Sequence, residues 1–300
     1  MTQKLHFLAA LPRVDGHPDT AAGGVGVEDL VERVSKAWGG GAGPKLRLLP
    51  ERIDLARVHQ QVQEAGSLDA RVFLAIDERD LAPVGLDVDR EPHLLVFGDS
   101  RSGKSALLRT YAQEVMRTRT AKDAQLVVVD YRRSLLGEVS DDYQLHYLTS
   151  ATQAAPAIAE LAAYLQQRLP GPDVTPDQLR NRSWWTGAEV FVVVDDYDLV
   201  ATQSGSPLTP LVPLLAQARD VGLHLAVARR SGGAARALYE PVIQSLRDLA
   251  MPGVLLSGSP DEGPLIGTAK PRTSVPGRAQ LVTRDRGVEV VQTAWTDPSL

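Results

Sequence analysis

Residues 98–105 read Gly-Asp-Ser-Arg-Ser-Gly-Lys-Ser, which fits the spacing G-x-x-x-x-G-K-S. The run before it, Leu94 to Phe97, is wholly apolar, and the run after it, Lys104 to Met116, is helical in pattern. A buried strand, a glycine-bearing loop and a helix N-terminus in that order turn several backbone N–H groups toward one point, which makes an anion cradle. A chance Gly-Lys-Ser turn in a surface loop lacks both the strand and the helix. The spacing therefore assigns Gly98, Asp99, Ser100, Arg101, Ser102, Gly103, Lys104 and Ser105 to the phosphates of ATP. Lys104 is expected to bridge the β- and γ-phosphates, and the Ser105 hydroxyl to ligate Mg²⁺.

From His93 onward, apolar strands alternate with helical stretches, which predicts a mostly parallel sheet. Leu94–Phe97, Gln125–Val129, Val190–Val194 and Leu223–Ala228 read as strands, with short ones at Val254–Leu256, Gln280–Thr283 and Val288–Gln292. Lys104–Met116, Ala157–Leu169, Leu211–Val221 and Ala234–Leu249, the last interrupted at Pro241, read as helices. Upstream, Leu5–Ala9, Leu46–Leu49 and Arg71–Ile76 read as strands and Pro83–Asp89 as an edge segment. Val27–Trp38 reads as a helix stopped by Gly39-Gly40-Gly41, and Asp54 as the cap of a helix running through Val62. The expected fold is α/β: a RecA-like P-loop NTPase with a mostly parallel central sheet flanked by helices. Residues 1–90 form a strand/helix extension packed on a core at 91–300 in this reading.

Phe191-Val192-Val193-Val194-Asp195-Asp196 is a second site string. Its apolar residues bury a strand, so the first carboxylate emerges at the C-terminal edge, where open α/β sheets bind ligands. Asp195 is expected to hold Mg²⁺ with Ser105; the competing reading is a capping aspartate after any buried strand. Asp196 stands where hydrolysing relatives of this architecture commonly place glutamate. It is shorter by one methylene, and a displacement of about 1 Å can cost on the order of 10²-fold in rate. Arg101 likewise stands where glycine is common in such loops. Arg229 is a candidate γ-phosphate sensor, or an arginine that caps a carbonyl or pairs with an acid. Arg219 is a candidate finger for a neighbour's site, or an ordinary exposed arginine.

Composition narrows the rest. There is no cysteine, so disulfides, thiolate zinc sites and cysteine nucleophiles are excluded. No apolar run reaches the length that spans a bilayer. The net charge of −5, from 37 acidic and 32 basic residues, points away from nucleic acid as a partner. Arg132-Arg133 reads as a solvated loop rather than a groove for DNA. Trp184-Trp185 reads as packing at a sheet edge, with an exposed peptide-binding surface as the alternative.

The strings Leu48-Leu49-Pro50, Ile76-Asp77-Glu78-Arg79-Asp80-Leu81-Ala82-Pro83-Val84, Ser183-Trp184-Trp185-Thr186-Gly187, Val194-Asp195-Asp196-Tyr197-Asp198-Leu199-Val200 and Arg229-Arg230-Ser231-Gly232-Gly233-Ala234 carry a resemblance. With the P-loop, the chain resembles ATPase domains of the FtsK/SpoIIIE superfamily, and more narrowly the last ATPase domain of the EccC family of type VII (ESX) secretion motors. The resemblance implies a cytoplasmic domain, on the cytosolic face of an inner-membrane complex, beside other ATPase domains of the same motor. It also implies a homo-oligomeric full protein and capture of a C-terminal signal peptide from secreted helical-hairpin substrates. Later domains of this family are degenerate beside the first, which agrees with Asp196 and with the absence of a Thr-Gln sensor at Arg229-Arg230. The alternative is a DNA-translocating motor of the FtsK kind.

Overall fold

The structure, a computed structural model, describes residues 14, 16–18, 23–41, 43, 46–66, 70–202 and 205–299. The chain divides into two compact units, 1–46 and 47–300. In the first, helix α1 (Gly23–Ala37) carries two ion pairs one turn apart, Arg33 with Asp29 and Lys36 with Glu32. It ends just ahead of Gly39-Gly40-Gly41, where the sequence predicts. The strand expected at Leu5–Ala9 lies outside the described residues.

The second unit is built on one sheet of eleven strands. They are β1 (Ile53–Asp54), β2 (Val72–Asp77), β3 (Pro83–Leu86), β4 (His93–Phe97), β5 (Ala124–Val129) and β6 (Gln144–Leu148). Then come β7 (Glu189–Val194), β8 (Leu223–Arg229), β9 (Gly253–Leu255), β10 (Arg278–Thr283) and β11 (Gly287–Trp295). Across the sheet the order is β3-β2-β11-β10-β9-β4-β8-β7-β5-β6, with β1 pairing β11. Strands β9, β4, β8, β7, β5 and β6 run parallel, and β10, β11, β2 and β3 continue the sheet in antiparallel pairing. Thus β8 lies between the P-loop strand β4 and the Asp195 strand β7, as the RecA-like order requires.

The inner parallel strands β4, β5, β7 and β8 are mostly apolar because both faces are covered. Val190, Val192 and Val194 point into one core with Leu95, Phe97 and the helix α4 (Ala151–Gln166). Phe191 and Val193 alternate into the other, with Leu94, Val96 and the helix α3 (Lys104–Thr118). Each such fully buried Val, Leu or Phe contributes about 1.5–3 kcal/mol of hydrophobic stabilisation. A third cluster packs Phe73, Ile76 and Ala294 against helix α2 (Leu55–Glu64). There the buried Glu114 carboxylate accepts from the Phe73 N–H at 2.8 Å and from Arg117, and meets His59 at 2.6 Å.

Three expectations need correction. Leu46–Leu49 is not a strand; the Leu49 and Pro50 carbonyls accept from Arg278 instead, at 3.1 and 3.0 Å. Leu211–Val221 is not one helix but a 3₁₀ turn at Thr209–Leu211 and short helices at Val212–Leu215 and Ala218–Val221. The helix breaks at Gln217, whose φ of −112° and ψ of 19° leave the helical region; Pro210 and Pro213 stand ahead of the break, in the first turn, where a missing N–H is tolerated. Helix α4 starts at Ala151, six residues before the expected Ala157, because Pro156 lies inside it rather than at its boundary.

Candidate nucleotide-binding site

The 98–103 loop is fixed from three sides. The Gly98 N–H donates to Arg229 O at the end of β8 (3.2 Å), and the Asp99 N–H to Ser257 O beyond β9 (2.8 Å). The Gly277 N–H donates to Ser102 O at 2.9 Å. Gly98 cannot be replaced: a Cβ there would lie 2.4 Å from Ser102 Oγ and 2.8 Å from Leu256 Cβ. Gly103 caps α3 at φ 110°, a left-handed conformation that glycine takes without strain. Arg101 also adopts positive φ (61°), so this loop holds an arginine in a conformation suited to glycine, at a cost of roughly 1–3 kcal/mol. Lys104 is buried and donates to Asp99 O at 3.2 Å.

The two acidic positions behave differently. The Ser105 hydroxyl donates to Asp195 Oδ2 at 2.6 Å, and the Asp196 N–H to Asp195 Oδ1 at 2.9 Å. Burial pushes the Asp195 carboxyl up to about 6, with the Ser105 hydrogen bond working against that shift. Asp196 sits at φ 42°, with Oδ1 3.6 Å from Lys104 Nζ and Oδ2 3.1 Å from Arg132 Nε. Sequence reasoning placed Arg132 in a solvated loop; the structure brings it into the site. Its signal was position, three residues past the end of β5, the strand that borders the Asp195 strand.

These residues fit a magnesium nucleotide. The hydroxyl of Ser105 and the carboxylate of Asp195 are hard oxygen ligands of the kind Mg²⁺ takes. Ser102 Oγ, buried beside the loop, has no hydrogen-bond partner among the described residues, so its hydroxyl can donate to an anion. The tight approach at Gly98 and the buried Lys104 complete a phosphate cradle. Beside it, a cavity of about 200 Å³ is lined by Gly103, Ala106, Pro276, Gly277, Thr293 and Trp295.

Arg229 and Arg219 are placed apart. Arg229 pairs with Phe97 in the β4–β8 register, so it lies at the phosphate edge, but its guanidinium donates to Arg230 O at 3.1 Å. Arg219 precedes β8 and so lies at the opposite, N-terminal edge of the parallel strands, against a cavity it shares with Arg71, Arg90 and Arg284. Trp184 and Trp185 are packing residues. Their indole N–H groups donate to Arg168 O (2.6 Å) and Asp220 O (2.7 Å), and Arg168 stacks on Trp185. Near that same N-terminal edge, a mostly apolar groove of about 300 Å³ runs between α4 and the edge strand β6, lined by Leu145, Ala157, Leu161, Tyr164 and Val190 with Gln125, His146, Glu160 and Arg168 among them.

Among known proteins, the FtsK/SpoIIIE family model matches residues 54–170. The chain is 45% identical over 292 residues to the ESX secretion system protein EccC of Thermomonospora curvata, covering 97% of this chain and 22% of that protein. It is also 45% identical to the ESX-4 secretion system protein EccC4 of Mycobacterium tuberculosis, covering 98% of this chain and 22% of that protein. A solved structure of Thermomonospora curvata EccC (ATPases 2 and 3) in complex with a signal sequence peptide superposes with a TM-score of 0.83 at 45% identity, covering 97% of this chain and 52% of that one. The chain thus spans about a fifth of the two curated relatives.

Proposed function

Because the chain belongs to the FtsK/SpoIIIE family, in the branch of the EccC ATPase domains, we propose that it is the Mg·ATP-binding last ATPase domain of a type VII secretion motor. The observation that carries the reading is the contact of Ser105 with Asp195, which joins the loop and the acidic strand into one oxygen-lined metal site beside Lys104. A ligand at 100 times its Kd stabilises a fold by about 2.7 kcal/mol. Mg·ATP should therefore raise the melting temperature of the wild type and not that of Lys104→Ala. Equal shifts in both would refute the assignment.

Hydrolysis by this domain is slow in this reading. Asp196 is shorter than glutamate by one methylene, and a displacement of about 1 Å in the group that orients the water can cost on the order of 10²-fold in rate. Phosphate release should fall well below ~1 s⁻¹, the low end of ordinary turnover.

The partners we propose are the neighbouring ATPase domains and the signal peptide of a secreted helical protein, at the cytosolic face of a membrane complex. The relative solved with a signal sequence peptide supports this, as does the groove beside Leu145 and Tyr164, which is mostly apolar and lies away from the polar phosphate edge. An amphipathic helix laid in such a groove binds through anchors at i, i+3, i+4 and i+7, with little dependence on salt. Leu145→Arg should abolish peptide binding in calorimetry and leave the ATP-induced melting shift intact. Salt-sensitive binding of duplex DNA without peptide binding would instead support a DNA translocase.

A further inference from the structure

The turn after β5 carries a cation to the mouth of the site. Asp130, buried at the end of β5, accepts from the Arg132 N–H (3.2 Å), the Leu135 N–H (2.7 Å) and the Tyr147 hydroxyl (2.8 Å). Arg133 closes the turn at φ 61°. The backbone is therefore pinned by a buried carboxylate, and the pinned turn presents Arg132. Its side chain is 60% exposed, while its partner Asp196 is 16% exposed. Arg132 and Lys104 hold opposite oxygens of that one carboxylate, at 3.1 and 3.6 Å. Lys104 is the P-loop lysine, whose place is against the β- and γ-phosphates. A guanidinium sharing a carboxylate with it lies at the γ-phosphate end of the site. Arg229, the arginine that the sequence offered for this role, is turned to a backbone carbonyl instead.

We propose that Arg132 is a γ-phosphate-binding residue supplied in cis, so that the site distinguishes ATP from ADP. The inference rests on the ATP-binding reading above. Without a γ-phosphate, Arg132 neutralises Asp196. With one, the planar fork of donors finds phosphate oxygens, which bear more charge and suit bidentate hydrogen bonding. ADP ends before this point and leaves the Arg132–Asp196 pair in place. No bond is made or broken; the exchange is one of ion-pair partners.

Calorimetry with Mg·ATP and with Mg·ADP on wild type, Arg132→Ala and Arg132→Lys tests the proposal. Hydrogen bonds to charged groups are strong enough that Arg132→Ala should weaken ATP binding about tenfold while the ADP affinity moves less than about twofold. Arg132→Lys should recover part of the ATP affinity. Retained ADP binding shows that the variant is folded. An ATP affinity unchanged in Arg132→Ala, or an equal loss for both nucleotides, overturns the proposal and leaves the ATP-binding reading standing. A wild type that binds neither nucleotide overturns both.

Discussion

The Ser105 hydroxyl and the Asp195 carboxylate, separated by 90 residues in sequence, meet at 2.6 Å. The contact ties the first turn of α3 to the end of β7 and leaves an almost fully buried carboxylate facing a single hydroxyl and one backbone N–H. Such a group costs the fold stability, because burial penalises its charged form and pushes its pKa up to about 6.

Asp195→Asn should therefore separate function from stability. At pH 7 the wild-type carboxylate is ionised and poorly solvated, so the neutral amide should stabilise the apo protein by about 1–2 kcal/mol. The Ser105 hydroxyl can reverse and accept from the amide, which keeps the contact. Nucleotide binding should become insensitive to Mg²⁺. Denaturant melts with and without Mg·ATP check both halves; an apo protein destabilised by the substitution would contradict this account.

Gly98→Ala should damage the loop directly. The new methyl meets Ser102 Oγ and Leu256 Cβ at 2.4 and 2.8 Å, and the second of these belongs to a buried side chain at the end of β9. Overpacking of this kind costs about 1–3 kcal/mol, and the displaced loop should lose the nucleotide-induced melting shift as well. A Gly98→Ala protein with wild-type ATP affinity would show that the loop is softer than its hydrogen bonds indicate.

Arg168 presents a different case, a buried cation without a carboxylate partner among the described residues. Its guanidinium donates to Val221 O (3.1 Å), Ala188 O (3.0 Å) and the Tyr164 hydroxyl (2.9 Å), and it stacks 4.0 Å from the Trp185 ring centroid. Truncation to alanine strands two buried carbonyls and a cavity wall, so Arg168→Ala should destabilise the fold by about 3 kcal/mol. Lysine keeps the charge but not the fork, and should recover less than half of that. Chemical denaturation, with tryptophan emission reporting on Trp184 and Trp185, gives the measurement.

These residues also show where sequence reasoning stops. The strand, loop and helix around residues 98–105 were legible because the pattern is local: eight consecutive residues, with β4 before them and α3 from Lys104. Asp195 was legible because a run of buried valines must end somewhere, and the end is where ligands bind. Arg132 was not, since only the pairing of β5 with β7 brings it to Asp196. Strand β6 escaped because, at the edge of the sheet, Leu145 and His146 are exposed and only Leu148 is buried, which erases the apolar signal. The 209–221 stretch kept its apolar period while the backbone left the helical region at Gln217, a break that the periodicity does not record.

His93, at the start of β4, makes a prediction about pH. Its ring is almost fully buried; Nδ1 accepts the Leu225 N–H at 3.1 Å, and Nε2 faces Leu215 O at 3.1 Å, which assigns it the proton. Protonation at Nδ1 would set two donors against each other in a buried site. Burial, with a smaller contribution from the neighbouring His224, accordingly lowers its pKa to about 4. The unfolded chain takes up a proton near pH 6.5, whereas the folded one does not until about 4, so the folded state loses stability as pH falls through that window. The full loss is about 3 kcal/mol, and about 2 kcal/mol is already spent at pH 5. Above pH 6.5 the group contributes no pH dependence. His93→Gln supplies one donor and one acceptor without a titrating charge, so its stability should fall less steeply between pH 7 and 5. The carboxylates elsewhere titrate alike in both proteins, so the difference between the two urea-melting curves isolates His93; parallel curves would mean that the ring is not held neutral by the core.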